Sequence, residues 1–81
     1  MHYTYVLESI HGSRIRYVGH TSDLRNRLRE HNAGKCRHTA KQRPWKVKLY
    51  IAFESQRLAR DFERYLKSGS GHAFAKRHFW N

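Results

Sequence analysis

Tyr5, Tyr17, Arg27, His31 and Glu63 are the side chains of this sequence whose types and placement suit chemistry as well as packing. Glu63 shares its helical stretch with one other acid, Asp61. A lone carboxylate completed by water and substrate oxygens suits Mg²⁺, which gives up its hydration reluctantly. Equally, Glu63 stands four residues before Lys67, the spacing of a helical ion pair worth a few tenths of a kcal/mol. Arg27 flanks an apolar stripe made by Leu24 and Leu28, where a guanidinium either braces two phosphate oxygens or is simply solvated. His31, one turn further on, can orient a ligand, move a proton, or cap and pack the helix end. A phenol titrates near 10, so Tyr17 can act as a base only if cations such as Arg27, a metal ion or His20 draw it down. The ordinary fate of a strand tyrosine is packing, and that reading applies fully to Tyr3 and Tyr50. An activated water, a stabiliser of negative charge and help for the leaving oxygen are what hydrolysis of a phosphodiester requires.

The charge balance points to the same class of substrate. Seventeen Lys and Arg stand against six Asp and Glu in 81 residues, a formal net charge of +11, so the expected partner is a polyanion. Apolar runs are only a few residues long, against about 20 for a membrane span, which favours nucleic acid over a membrane. A basic loop carrying Lys35, Arg37, His38, Lys41 and Arg43 is the expected phosphate-contacting surface. A basic groove with aromatic platforms suits single strands, junctions or duplex, and no recognition helix stands out; the expected substrate is DNA rather than RNA, with single-stranded or branched forms ahead. The start of the chain reads as a strand rather than a targeting segment. The lone Cys36 forbids an intrachain disulfide and suits a reducing cytoplasm. One Cys without a repeated ligand pair argues against a zinc site from His31, Cys36 and His38 with His20, and nothing around Cys36 marks it as a nucleophile. No obligate protein partner is evident.

The elements that must position these residues follow from periodicity. Tyr3–Glu8 and Arg14–Gly19 read as strands, joined through His11-Gly12-Ser13 as a hairpin. Thr21 and Ser22 offer caps for a helix over Asp23–Asn32, which Gly34 should end. Trp45–Phe53 reads as a third strand. Ser55 caps a second helix with Leu58, Ala59, Phe62, Tyr65 and Leu66 on its apolar stripe, ending near Ser68. Gly69 and Gly71 are expected to break the pattern before a short last helix, His72–Trp80. The prediction is one α+β domain over residues 1–81, ordered β-β-α-β-α-α, with a small three-stranded antiparallel sheet flanked by helices.

The ordered set Tyr3-Thr4-Tyr5, Tyr17-Val18-Gly19, Asp23-Leu24-x-x-Arg27-Leu28-x-x-His31-Asn32, Arg43-Pro44-Trp45 and Ala59-x-x-x-Glu63-x-x-Leu66-Lys67 resembles the GIY-YIG nuclease superfamily, in its small stand-alone form. The first Gly of the family's tripeptide is Tyr3 here, and Thr4 replaces the usual Ile or Val, while Tyr5 is kept. The resemblance implies a metal-dependent endonuclease, a phosphodiester hydrolase, with Tyr17 as general base and Tyr5 hydrogen-bonding beside it. It further implies Arg27 as transition-state arginine, His31 at a position where many members carry His, and Glu63 as ligand of Mg²⁺ or Mn²⁺. Nucleic-acid contacts are then expected from His20, Lys35, Arg37, His38, Lys41, Arg43 and Lys67, with His20 where the family often has Lys. One such site cuts one strand. Longer members carry a late Asn, which Asn81 is not equated with here. The alternative is a binding module that uses the same basic groove without cutting.

Overall fold

A computed structural model describes residues 1–80; Asn81 lies outside the described residues. The chain runs β1 (His2–Ser9), β2 (Gly12–Thr21), α1 (Leu24–Asn32), a 3₁₀ turn (Ala40–Gln42), β3 (Trp45–Phe53), α2 (Gln56–Leu66) and α3 (Gly69–His78). The sheet is antiparallel with order β2-β1-β3, so β1 is the central strand and β2 an edge. This is the α+β architecture expected from the sequence.

Being central, β1 is covered on both faces, and every residue from Thr4 to Ser9 is buried. On one face Tyr5, Leu7 and Trp45 pack with Tyr17, Leu24, Leu28 and Val47 beneath α1. On the other, Val6, Leu66 and Ala75 pack with Val18, Leu49, Phe62 and Phe74 beneath α2 and α3. The two departures from the family tripeptide are accommodated within these layers. Thr4 is buried, and its hydroxyl donates to the Ala59 carbonyl at 2.6 Å, tying β1 to α2. Tyr3 meets Tyr50 edge to face at 5.7 Å.

Three local expectations are corrected. Both hairpin strands run longer, and the turn falls on Ile10 and His11 rather than His11–Ser13. Asp23 itself, not Thr21 or Ser22, is the N-cap of α1, accepting from the Asn26 amide at 3.0 Å, while the Thr21 hydroxyl accepts from the Asp23 amide. Gly34 closes α1 as expected, with φ +80.

The third correction concerns Gly69 and Gly71, which open α3 instead of breaking the chain. Ser68 caps the helix by accepting from the Gly71 amide at 3.1 Å. Gly71 is buried where α3 crosses the end of α2, and a Cβ there would collide with the Tyr65 carbonyl; nothing lies within 4 Å of one at Gly69. Because backbone rather than a flexible side chain must yield, Gly71→Ala should cost about 1–3 kcal/mol. Gly69→Ala should leave stability unchanged or raise it by up to about 1 kcal/mol. Denaturant unfolding of the two variants measures the contrast.

Candidate active site

Tyr5, Tyr17 and His31 converge beneath α1. Cross-strand pairing sets Tyr5 opposite Gly19 and Leu7 opposite Tyr17. A Cβ on Gly19 would lie 2.5 Å from the Tyr5 hydroxyl oxygen and 3.1 Å from the Tyr17 ring. Glycine is therefore required there so that the Tyr5 phenol can cross the neighbouring strand. The Tyr17 and His31 rings are 5.0 Å apart and the Tyr5 and Tyr17 rings 6.4 Å.

His31 is fully buried, so it does not meet a ligand directly. Its Nε2 is 2.9 Å from the Tyr5 hydroxyl and its Nδ1 is 2.8 Å from the Thr39 hydroxyl. Burial holds the imidazole below its ordinary range, and the Arg27 charge adds to that, so it is neutral at pH 7 with one N–H. Thr39 donates its own hydroxyl proton to the Cys36 carbonyl at 3.3 Å. It must then accept from His31 Nδ1–H, which leaves Nε2 to accept from Tyr5 O–H. The chain Tyr5–His31–Thr39–Cys36 thus fixes the Tyr5 proton on the histidine side and turns the remaining lone pairs of the phenol oxygen away from it.

Across the β2 edge, Glu63 stands on α2 and is half-buried, whereas Asp61 is exposed. The His20 Nδ1 hydrogen-bonds one Glu63 carboxylate oxygen and Lys67 Nζ bonds the other at 2.5 Å. Burial pushes this carboxyl up, but the hydrogen bonds from His20 and Lys67 outweigh it and hold it below the ordinary carboxylate value. It is therefore ionised at neutral pH and acceptor-only, so His20 Nδ1 carries the proton in that bond. Lys67 also lies 5.8 Å from the Tyr17 ring. The helical ion pair read from the sequence is present, and its lysine lies near Tyr17. His20 and Lys67, expected as free phosphate contacts, are both engaged by this carboxylate.

Arg27 is exposed and pairs with Glu30 at 3.2 Å, an exposed contact that contributes little and is easily exchanged for a phosphate. Its charge acts on both Tyr5 and Tyr17. The expectation that cations draw the Tyr17 phenol below 10 is not met by the protein's own groups. Burial raises it, Cys36 adds to the rise, and Lys67 and Arg27 offset only part. Tyr5 is raised far more strongly, by burial and then by Tyr17, so it stays a proton donor.

Of the basic loop, Lys35, Arg37, His38, Lys41 and Arg43 are all exposed. Arg43 lies over Gly34, whose missing side chain makes room for the guanidinium. Asn32 clamps the far end of the loop, accepting from the Trp45 amide at 2.6 Å and donating to its carbonyl at 3.1 Å, while Trp45 Nε1 donates to the Thr39 carbonyl. The loop is thus anchored at both the Tyr5–His31 chain and the start of β3. Among the described residues no three His, Cys, Asp or Glu side chains gather as a metal cage. The donor set fits instead a hydrated ion held by the single Glu63 carboxylate, since each of its oxygens keeps a further lone pair beyond the bond it accepts.

Thr39 was not legible as a site residue, because a threonine in a basic loop carries no spacing signal. Thr39→Val keeps its shape but strands the His31 N–H, at a cost of about 1–3 kcal/mol in stability. It should also lower kcat with little change in KM, with Thr39→Ser restoring both; steady-state kinetics and unfolding curves check this.

Tyr5 and Tyr17 thus lie near each other on the sheet face that α1 covers, with the Glu63 carboxylate bonded to the edge strand through His20. The chain matches the GIY-YIG catalytic domain model over residues 1–77 and belongs to that nuclease family, whose substrates are nucleic acids. Among curated proteins it is similar to a UPF0213 protein of Streptococcus pyogenes serotype M3, 38% identical over 66 residues that span 80% of this chain and 70% of the relative. A UPF0213 protein of Bacillus pumilus is 38% identical over 68 residues, 83% of this chain and 67% of that protein. No helix among the described residues is long and apolar enough to cross a membrane.

Proposed function

We propose that this protein is a divalent-metal-dependent endonuclease that hydrolyses DNA phosphodiester bonds, favouring single-stranded or branched DNA. The observation that carries this reading is the convergence of the Tyr5–His31–Thr39 chain and the Glu63–His20–Lys67 cluster on Tyr17. Glu63 would hold the Mg²⁺ or Mn²⁺ ion, which when bound supplies Lewis-acid polarisation of the phosphate and favours ionisation nearby. Tyr17, the less buried and less strongly raised of the two central phenols, takes the proton from the attacking water. The Tyr5 oxygen, its own proton committed to His31, can accept a hydrogen bond beside it. Arg27 leaves Glu30 and braces the non-bridging phosphate oxygens as charge builds on them. The exposed loop cations Lys35, Arg37, His38 and Lys41 hold the flanking phosphates. A cytoplasmic location accords with the single, unpaired Cys36.

A second reading, a module that binds without cutting, is favoured by one observation: both Glu63 oxygens already have protein partners. Labelled single-stranded, duplex and branched DNA incubated with Mg²⁺, Mn²⁺ or chelator separates the two. Metal-dependent cutting ranked with single-stranded or branched DNA first is expected; tight binding with no cutting on any substrate would replace the nuclease reading by the second.

A further inference from the structure

A second basic surface lies away from the loop. Between β2 and α3 is an open cleft of about 790 Å³, with Val18, Leu66 and Ala75 in its floor and Arg14, Arg16, His72, Lys76 and Trp80 around it. No Asp or Glu lines it among the described residues. Because side chains on a strand alternate, Val18, Arg16 and Arg14 share one face of β2 with His20, so the cleft lies on the same face of the strand as the His20–Glu63 pair and further along it. We propose that this cleft is a subsite for the single nucleic-acid strand that flanks the cut phosphate, with its phosphates on Arg14, Arg16 and Lys76. The proposal rests on the nuclease reading above and adds where the strand runs.

Arg16 is built for such a contact. Its guanidinium stacks on Trp80 at 4.0 Å and its Nε donates to the Ser13 carbonyl at 3.0 Å, which orients the plane and leaves the Nη edge to fork a phosphate. Its cross-strand partner Glu8 is buried and held by Lys46 at 3.4 Å and Lys48 at 3.3 Å, so that carboxylate is matched by cations of its own. The side chains of Arg14 and Lys76 are exposed and have no hydrogen bond or ion pair among the described residues. At about 3.3 Å per residue, Arg16 is roughly 13 Å and Arg14 roughly 20 Å along β2 from His20. At about 3.4 Å per nucleotide of a stacked strand, that is about four to six nucleotides. The apolar floor beside Trp80 suits a nucleobase, as stacking platforms for single strands do.

Arg14→Gln/Lys76→Gln tests the cleft, with Arg57→Gln/Arg60→Gln on the exposed side of α2 as a control that removes the same charge. Binding of a labelled 12-nucleotide single strand is measured in chelator across a salt series, so that no cutting is required. Weakening by about tenfold or more, with the salt slope reduced by about 1.4, is expected for the cleft pair, as for two lost single-strand phosphate contacts. The control should change little, and Arg16→Gln alone should reproduce about half of the slope change. Equal weakening by both pairs would reduce the effect to net charge and overturn the proposal, as would a loss confined to duplex. With Mg²⁺ across a DNA concentration series, the cleft pair should raise KM with kcat within about twofold. A wild type that cuts nothing yet shows the cleft-specific loss would overturn the nuclease reading alone and support the cleft as a strand-binding site.

Discussion

Tyr17→Phe should lower the cleavage rate by about 10²–10⁴, the range for losing a positioned general base, while leaving DNA affinity within a few-fold. The ring is kept, so the layer beneath α1 persists, and only the hydroxyl that can take a proton from water is gone. Tyr5→Phe acts differently, because it deprives a fully buried His31 Nε2 of its donor. It should cost about 1–3 kcal/mol in stability as well as rate. The pH dependence identifies the base. Burial and Cys36 raise the Tyr17 phenol above its ordinary value of 10, so the deprotonated fraction grows tenfold per pH unit below that point. The logarithm of the rate should therefore climb by about one unit per pH unit from about pH 7 up to the phenol's midpoint, which a bound metal ion brings down. His31, held below its ordinary range, stays neutral there, and Glu63, likewise held low, stays ionised. Cutting unimpaired in Tyr17→Phe, or the same climb and midpoint in that variant, would move the base role to another group.

Glu63→Gln should remove metal-dependent cleavage to a comparable degree, about 10²–10³ or more, with single-strand binding in chelator nearly unchanged. The amide preserves the shape of the side chain and can still accept from Lys67, so lost activity reports lost charge. Exposed Asp61 is the internal control, and Asp61→Asn should cut normally. If Asp61→Asn were inactive and Glu63→Gln active, the assignment of the metal ligand would be wrong. A second readout needs no activity. Because the folded Glu63 carboxyl sits below its ordinary value, it contributes stability that is present above the unfolded value and is lost as pH falls through the folded one. The wild type should lose part of its stability advantage over Glu63→Gln on acidification through and below the usual carboxylate range, and the gap between their unfolding curves measures it.

Much of this was determined by sequence alone. The strands and helices were readable because their signals are local. An alternating apolar run made β3, Ser55 capped α2, and Gly34 took the left-handed position that ends α1. The family resemblance grouped Arg27, His31 and Glu63 with Tyr5 and Tyr17 as candidates, and the net charge pointed to a polyanionic partner. Tertiary structure decided the rest, since it depends on what residues far apart in the chain place against one another. Gly71 looks like a breaker until α2 is seen to need its missing Cβ, and His31 reads equally as a proton carrier or a packed helix-end residue until β1 and the basic loop bury it between Tyr5 and Thr39. Whether Tyr17 is lowered by cations or raised by burial is a balance of desolvation against distance. No spacing rule encodes that balance, which is set only once α1, β2 and Lys67 are packed around the ring.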